Sequence, residues 1–174
     1  MTVYKNICIL LVSFLLLGFT EKSNDKQALA VTQDSVEIPV YNFESLEPLL
    51  YTNSDKIHVV NFWAMWCAPC VKELPIFQEY EKNHADVELT LVSLDFPEDI
   101  EQKLIPFLKK RNIVSTVVLL DDPNANSWID KIDPNWSGAI PFTIIFNKEK
   151  RSYHERTFKD ITDLENTINQ LYNK

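Results

Sequence analysis

Two cysteines, Cys67 and Cys70, are separated by two residues and close the apolar run that begins at Val59. The residues that follow, from Val71 to Tyr80, repeat apolar side chains at the spacing of an α-helix. This order predicts a strand that delivers a dithiol to the N-terminus of a helix. A Cys-x-x-Cys pair in a strand-to-helix context is typical of thiol–disulfide redox chemistry.

The expected helix N-terminus distinguishes the two sulfurs. The first turn of a helix has unpaired N–H groups and partial positive charge, so it stabilises a thiolate at Cys67. Cys67 is therefore the predicted nucleophile. Cys70 lies one turn further along, where we expect a more buried and less ionised sulfur that resolves the mixed disulfide. Pro69 fits the first turn because it needs no N–H there, and it stiffens the backbone between the sulfurs.

A zinc site is the main structural alternative for such a pair. It would require a second pair of Cys or His ligands at a suitable spacing. The other cysteine, Cys8, lies in the N-terminal apolar segment, and His58, His84 and His154 are scattered singly. We therefore expect redox chemistry with no metal and no cofactor. The chain has only 2 glycines, which excludes a glycine-rich phosphate loop.

Charge and the N-terminal segment indicate the partners and the compartment. The net charge is −8 without a dense Lys/Arg cluster, which argues against binding to nucleic acid or to an anionic membrane surface. Residues 1–20 predict a secretory signal peptide, in which Lys5 supplies the charge and residues 7–17 the apolar stretch. This stretch is shorter than the roughly 20 residues of a membrane span, so we favour a cleaved signal over an anchor. The expected location is periplasmic or extracytoplasmic.

Removal of that signal leaves Cys67 and Cys70 as the cysteines of the mature chain. Cleavage near Thr20 and cleavage after Ala28-Leu29-Ala30 both remain open. Secreted domains that rely on disulfides for stability usually have several, and a bond that closes a very short loop stabilises least. We infer that this pair is present in order to react.

The remaining sequence predicts one α/β domain at residues 36–174, preceded by a polar linker at 21–35. Helical and strand periodicities alternate along it, with turn residues between them. The order βαβαβαββα predicts a mixed central sheet flanked by helices on both faces. We expect strands at 36–41, 57–63, 87–94, 116–120, 142–146 and 152–158, and helices at 43–51, 68–83, 99–111, 125–132 and 161–172.

Two motifs resemble a known family. The segment Trp63-Ala64-Met65-Trp66-Cys67-Ala68-Pro69-Cys70, together with Ala139-Ile140-Pro141-Phe142-Thr143 at the start of a later strand, resembles the thioredoxin fold. Asn61-Phe62-Trp63 and Cys70-Val71-Lys72-Glu73-Leu74-Pro75, with the signal segment, are similar to the TlpA/ResA-like extracytoplasmic thiol–disulfide oxidoreductases. The resemblance covers roughly residues 36–172.

The resemblance implies roles for further residues. Pro141 matches the cis-proline that lies opposite the dithiol and holds the backbone of Ile140 open to a substrate chain; the alternative is an ordinary trans-proline. Glu73 matches an acidic catalytic residue that influences the ionisation of the dithiol, and it could take or return the Cys70 proton. The alternative for Glu73 is a solvated helix residue. Trp66 is expected to flank the sulfurs and contact a partner.

Asn61 departs from the cytosolic thioredoxins, which have an acidic residue at this position below the dithiol. An amide cannot accept a proton as a base does, so Glu73 is the remaining candidate if a base is needed.

We therefore expect a protein-disulfide reductase that acts on envelope or secreted proteins, apocytochrome c among the candidates. Ala68-Pro69 supplies no cation that would stabilise the Cys67 thiolate further, which disfavours a strong oxidant. The alternatives are a disulfide oxidant or isomerase, a metal-handling module and a binding module without turnover. The expected partners are disulfide-bearing proteins and a membrane-embedded electron donor, and we expect a monomer.

Overall fold

The structure is a computed structural model that describes residues 37–172. Contacts divide the chain into units of residues 1–35 and 36–174, and every described residue belongs to the second. The signal and linker predicted at residues 1–35 lie outside the described residues. None of the helices in the described part has the length and apolar character of a membrane span.

Six strands form one mixed sheet in the order β1-β4-β3-β2-β5-β6. Strands β1 to β4 are mutually parallel, whereas β5 runs antiparallel to β2 and β6 antiparallel to β5. The predicted mixed sheet is confirmed. The strand bounds are Val40–Tyr41 (β1), Ile57–Trp63 (β2), Val87–Ser93 (β3), Thr116–Leu120 (β4), Phe142–Phe146 (β5) and Arg151–His154 (β6).

Helices cover both faces of this sheet, as predicted. Helices α2, α3 and α5 pack on one face, and α1 and α4 pack on the other. Their bounds are Phe43–Leu46 (α1), Ala68–Asn83 (α2), Ile105–Lys110 (α3), Ile129–Ile132 (α4) and Ile161–Tyr172 (α5). Shorter 3₁₀ turns occur at Glu47–Tyr51, Pro97–Asp99 and Ala125–Ser127.

Strand β2 is the centre of the core because every one of its residues is buried. Its side chains alternate between the two faces, so Val59 and Trp63 pack with α2 and α5 while Val60 and Phe62 pack with α1 and α4. A central strand covered by helices on both sides explains the continuous apolar run in the sequence.

The single helix predicted at residues 99–111 is wrong in its first half. A π-helix occupies Ile100–Leu104, and the Ile105 N–H donates to the Ile100 carbonyl. Pro106 has no N–H with which to close an α-helical bond at this point. The apolar spacing of the segment does not distinguish the two kinds of helix.

The strand predicted at residues 152–158 is also too long, because β6 ends at His154. The next residues are held by bonds outside the sheet: Glu155 accepts a hydrogen bond from the Ser137 N–H, and the Phe158 N–H donates to Glu73. The strand predicted at residues 36–41 is shorter than expected, because β1 is an edge strand that covers only Val40–Tyr41. Helix α2 continues through Pro75.

Candidate active site

Cys67 and Cys70 are joined by a disulfide bond at the N-terminus of α2, and their Cα atoms are 5.3 Å apart. Cys67 is the N-cap residue, and its Sγ accepts a hydrogen bond of 3.3 Å from the Cys70 N–H. Cys67 keeps 6% of its surface exposed, whereas Cys70 has none. The expected difference in burial is confirmed, since Cys67 is the residue of the pair that keeps some exposed surface.

The backbone around the dithiol explains this placement. Strand β2 ends at Trp63, and the chain turns at once, because the Cys67 N–H donates to the Ala64 carbonyl at 3.1 Å. Helix α2 then begins with the Val71 N–H donating to the Cys67 carbonyl at 3.0 Å. Pro69 lies in the first turn, where a missing N–H costs nothing. The Cys70 N–H, which belongs to this turn, points toward the sulfur of Cys67.

The segment before β5 lies beside the same sulfur. The Ile140–Pro141 peptide bond is cis, as the resemblance implied. The Ile140 carbonyl oxygen is 3.7 Å from Cys67 Sγ. Antiparallel pairing of Phe62 with Phe142 brings the start of β5 to the end of β2, which explains this proximity across the sequence.

Glu73 is fully buried on α2, one turn after Cys70, so the solvated alternative is wrong. Its Oε1 accepts a hydrogen bond of 3.0 Å from Asn61 Nδ2, and its Oε2 accepts one of 2.8 Å from the Phe158 N–H. Burial raises the pKa of Glu73 to about 7, although both hydrogen bonds and the charge of Arg156 act in the opposite direction. The carboxyl group is therefore half ionised near neutral pH.

Asn61 connects this carboxylate to the centre of the sheet. Its Nδ2 also donates to Thr143 Oγ1 at 3.0 Å, and both side chains are fully buried. Among residues 37–172, the Asn61 Oδ1 atom has no hydrogen-bond partner. Asn61 thus acts as a donor to Glu73, a function that an ionised acid at this position could not perform.

The two tryptophans of the motif differ in exposure. Trp63 is fully buried in the core, whereas 66% of Trp66 is exposed next to Cys67. A second exposed aromatic residue, Phe96, follows the carboxyl end of the neighbouring strand β3 and is 60% exposed. Trp63 of β2 pairs with Ser93 of β3. Trp66 and Phe96 each follow one of these paired residues by three positions. Sequence reasoning did not single out Phe96.

Asp95 is a further residue that sequence reasoning missed. Both carboxylate oxygens accept from the Met65 N–H, at 3.1 and 3.2 Å, and Ser93 Oγ donates to Oδ2 at 2.8 Å. Burial raises the pKa of Asp95, against the effect of these hydrogen bonds. Asp95 therefore holds the turn that leads to Cys67. Its position at the carboxyl end of a strand parallel to β2 was the available signal.

Comparisons with known proteins agree with this geometry. The model of the AhpC/TSA family matches residues 44–154, more than half of the chain. The chain is 33% identical over 75 residues to sporulation thiol-disulfide oxidoreductase A of Bacillus subtilis, a match that covers 42% of this chain and 46% of that protein. It is 32% identical over 96 residues to thiol-disulfide oxidoreductase ResA of Geobacillus thermodenitrificans, covering 51% and 54%. The chain thus spans about half the length of these curated relatives.

The solved structures show the same fold. A thioredoxin-related protein from Neisseria meningitidis serogroup B superposes with a TM-score of 0.58 at 23% identity, over 72% of this chain and 91% of that one. The thioredoxin fold expected from the two motifs is confirmed. The end of β2, the start of β5 and the first turns of α2 meet in this structure, and the dithiol, Ile140 and Glu73 lie there.

Proposed function

We propose that this chain, which belongs to the AhpC/TSA family, is a thiol–disulfide oxidoreductase that reduces disulfide bonds of other proteins. The observation that carries the proposal is the pair itself: Cys67 at a helix N-terminus is bonded to Cys70, which lies one turn further along the helix and is fully buried. The relatives named as thiol-disulfide oxidoreductases support it.

The proposed reaction begins with the reduced pair. The Cys67 thiolate attacks one sulfur of a substrate disulfide, the substrate S–S bond breaks, and one substrate thiolate leaves. Cys70 then loses its proton and attacks Cys67 Sγ, which releases the second substrate thiolate and forms the Cys67–Cys70 disulfide. The substrate gains two electrons and two protons, and the pair must be reduced again by a thiol donor.

Glu73 is the proposed acceptor of the Cys70 proton. It lies one helical turn after Cys70 and is half ionised near neutral pH because of its burial. Its charge would also disfavour a thiolate nearby, which stabilises the disulfide relative to the dithiol and favours a reductase. Trp66 and the Ile140–Pro141 segment supply the proposed substrate contacts on either side of Cys67.

The proposed setting is outside the cytoplasm. Lys5 and the apolar residues 7–17 support export. The substrates would be envelope or secreted proteins, apocytochrome c among them. The electron donor would be a membrane protein that passes reducing equivalents across the cytoplasmic membrane to the Cys67–Cys70 disulfide.

The equilibrium reduction potential of the pair tests the direction of the reaction. A value near that of thioredoxin, about −270 mV, is expected for a reductase. A value near −120 mV would overturn that assignment and favour disulfide insertion.

Turnover of a disulfide-bonded peptide, with dithiothreitol as the electron source, tests the chemistry. After the dithiothreitol has been removed, reduced Cys70→Ser is expected to accumulate a mixed disulfide with the peptide through Cys67, whereas the control Cys67→Ser should form none. A mixed disulfide that forms on Cys70 in the control would contradict the assigned roles.

A further inference from the structure

The residues before Pro141, Ser137 to Ile140, form a loop that is anchored from two sides; we call it the 137–140 loop. On one side, the indole Nε1 of Trp136 donates to the Ala139 carbonyl at 2.8 Å. On the other side, Glu155 accepts hydrogen bonds from the N–H of Ser137, at 2.9 Å, and from its hydroxyl group. None of these bonds involves Ile140 or either sulfur.

Trp136 is itself held rigidly by the core. It is buried, and its ring stacks on Phe142 with centroids 4.0 Å apart and an interplanar angle of 11°. The rings of Phe62 and Trp128 tilt against it at 5.3 and 5.8 Å. An indole packed on several sides cannot turn its N–H elsewhere, so the direction of the bond to Ala139 is fixed by the core.

These anchors leave the backbone of Ile140 available beside the nucleophile. Both polar backbone groups of Ala139 are engaged, because its carbonyl accepts from Trp136 Nε1 and its N–H donates to Ser137 Oγ at 3.3 Å. The Ile140 N–H has no hydrogen-bond partner among residues 37–172. Its carbonyl oxygen faces Cys67 Sγ at 3.7 Å. An extended peptide can pair with the backbone of such a segment.

We infer that Trp136 and Glu155 are positioning residues that hold the 137–140 loop ready to pair with an extended segment of the substrate protein. The inference rests on the proposed function, since it assumes that the substrate chain pairs with the backbone of Ile140. A loop fixed in advance loses little conformational freedom when the substrate binds, so the anchors strengthen binding without touching the substrate.

Trp136→Phe tests this inference because it removes the indole N–H and retains an aromatic ring in the cluster. Trp128→Phe is the matched control: Trp128 belongs to the same aromatic cluster, but its Nε1 donates to the Asp122 carbonyl at 3.2 Å. Glu155→Ala removes the second anchor at an exposed position, where loss of the side chain does not disturb the core.

The measurement is steady-state reduction of a disulfide-bonded peptide, together with the reduction potential of the dithiol. For Trp136→Phe we expect KM to rise about fivefold, equivalent to about 1 kcal/mol, with kcat within about twofold of the parent. Glu155→Ala should raise KM in the same way, and Trp128→Phe should not. The reduction potential should not change in any of the three variants, because Trp128 and Trp136 belong to the core on the opposite face of the sheet from the cysteines and Glu155 is exposed.

The outcomes separate the inference from the function on which it rests. If the parent protein turns over but both anchor variants keep its KM, the inference is wrong and the proposed function stands. If Trp128→Phe raises KM as much as Trp136→Phe, the effect belongs to core packing and the inference is again wrong. If the parent protein does not reduce the peptide at all, the proposed function fails and the inference fails with it.

Discussion

Replacement of Glu73 by Gln changes the pH dependence of folding by an amount that follows from the burial of this carboxyl group. Its usual pKa is 4.5, and burial raises the pKa to about 7 in the folded protein. Between these values the folded state binds more protons than the unfolded chain, so the free energy of unfolding decreases as the pH rises. The contribution of Glu73 is most favourable below pH 4.5 and is lost once the pH passes about 7.

As the pH rises from 4.5 to about 7, at about 1.36 kcal/mol per pH unit, the free energy of unfolding loses about 3 kcal/mol. Gln cannot ionise, so the variant should lack this loss. Gln also offers a single oxygen to two donors, Asn61 Nδ2 and the Phe158 N–H, so one donor loses its acceptor at every pH. The informative quantity is therefore the slope against pH and not the stability at one pH.

The assay is urea denaturation of the oxidised protein between pH 4.5 and 8, which keeps both cysteines from titrating. Burial lowers the pKa of His58 and of His154, which makes stability rise with pH through the histidine range, and this contribution cancels between parent and variant. The control Glu79→Gln removes an exposed carboxylate from the same helix and should keep the parent's slope. Equal slopes for the parent and Glu73→Gln would refute the assignment of a raised pKa to Glu73.

Two further predictions concern the turn and the exposed ring beside Cys67. Asp95→Ala leaves the Met65 N–H without its acceptor, so it should lower the free energy of unfolding by about 1–3 kcal/mol. Urea denaturation measures this change, and a loss below about 0.5 kcal/mol would contradict the role given to Asp95. Trp66→Ala should change the free energy of unfolding by less than about 0.5 kcal/mol, since 66% of Trp66 is exposed, yet raise KM for a disulfide-bonded protein. An unchanged KM would exclude Trp66 from the substrate contact.

Local patterns in the sequence predicted the elements that carry the dithiol. The bounds of β2, α2, β4, β5 and α5 agree with the structure, because each of these elements has an apolar periodicity that matches its burial. The predicted bounds are wrong where tertiary contacts or Pro106 determine the backbone conformation. The end of β6 is one case, since the bonds of Glu155 and Phe158 to distant partners stop a strand whose residue types would allow it to continue.

The residues of the candidate site also fall into two groups, those found from local motifs and those that depend on tertiary contacts. Cys67, Cys70 and Pro141 are found by short motifs, since the residue types themselves carry the signal. The burial of Glu73 could not be predicted, because it depends on the Phe158 N–H, which lies 85 residues away in the chain. The anchor from Trp136 to Ala139 spans only three residues, but its strength depends on the ring of Phe142 and the rest of the aromatic cluster.

Both cysteines belong to the hydrophobic core on the α2 face, which also contains Phe77 and Ile168. Folding and reduction of the pair are therefore linked in one thermodynamic cycle. The oxidised and reduced proteins differ in their free energy of unfolding, and this difference corresponds, through ΔG = −nFΔE, to the difference in reduction potential between the unfolded and the folded pair. A change of about 1.4 kcal/mol on one side corresponds to about 30 mV on the other. A core substitution that destabilises both redox forms equally leaves the reduction potential unchanged. A substitution that destabilises one form more than the other changes the reduction potential, even if it does not contact a sulfur atom.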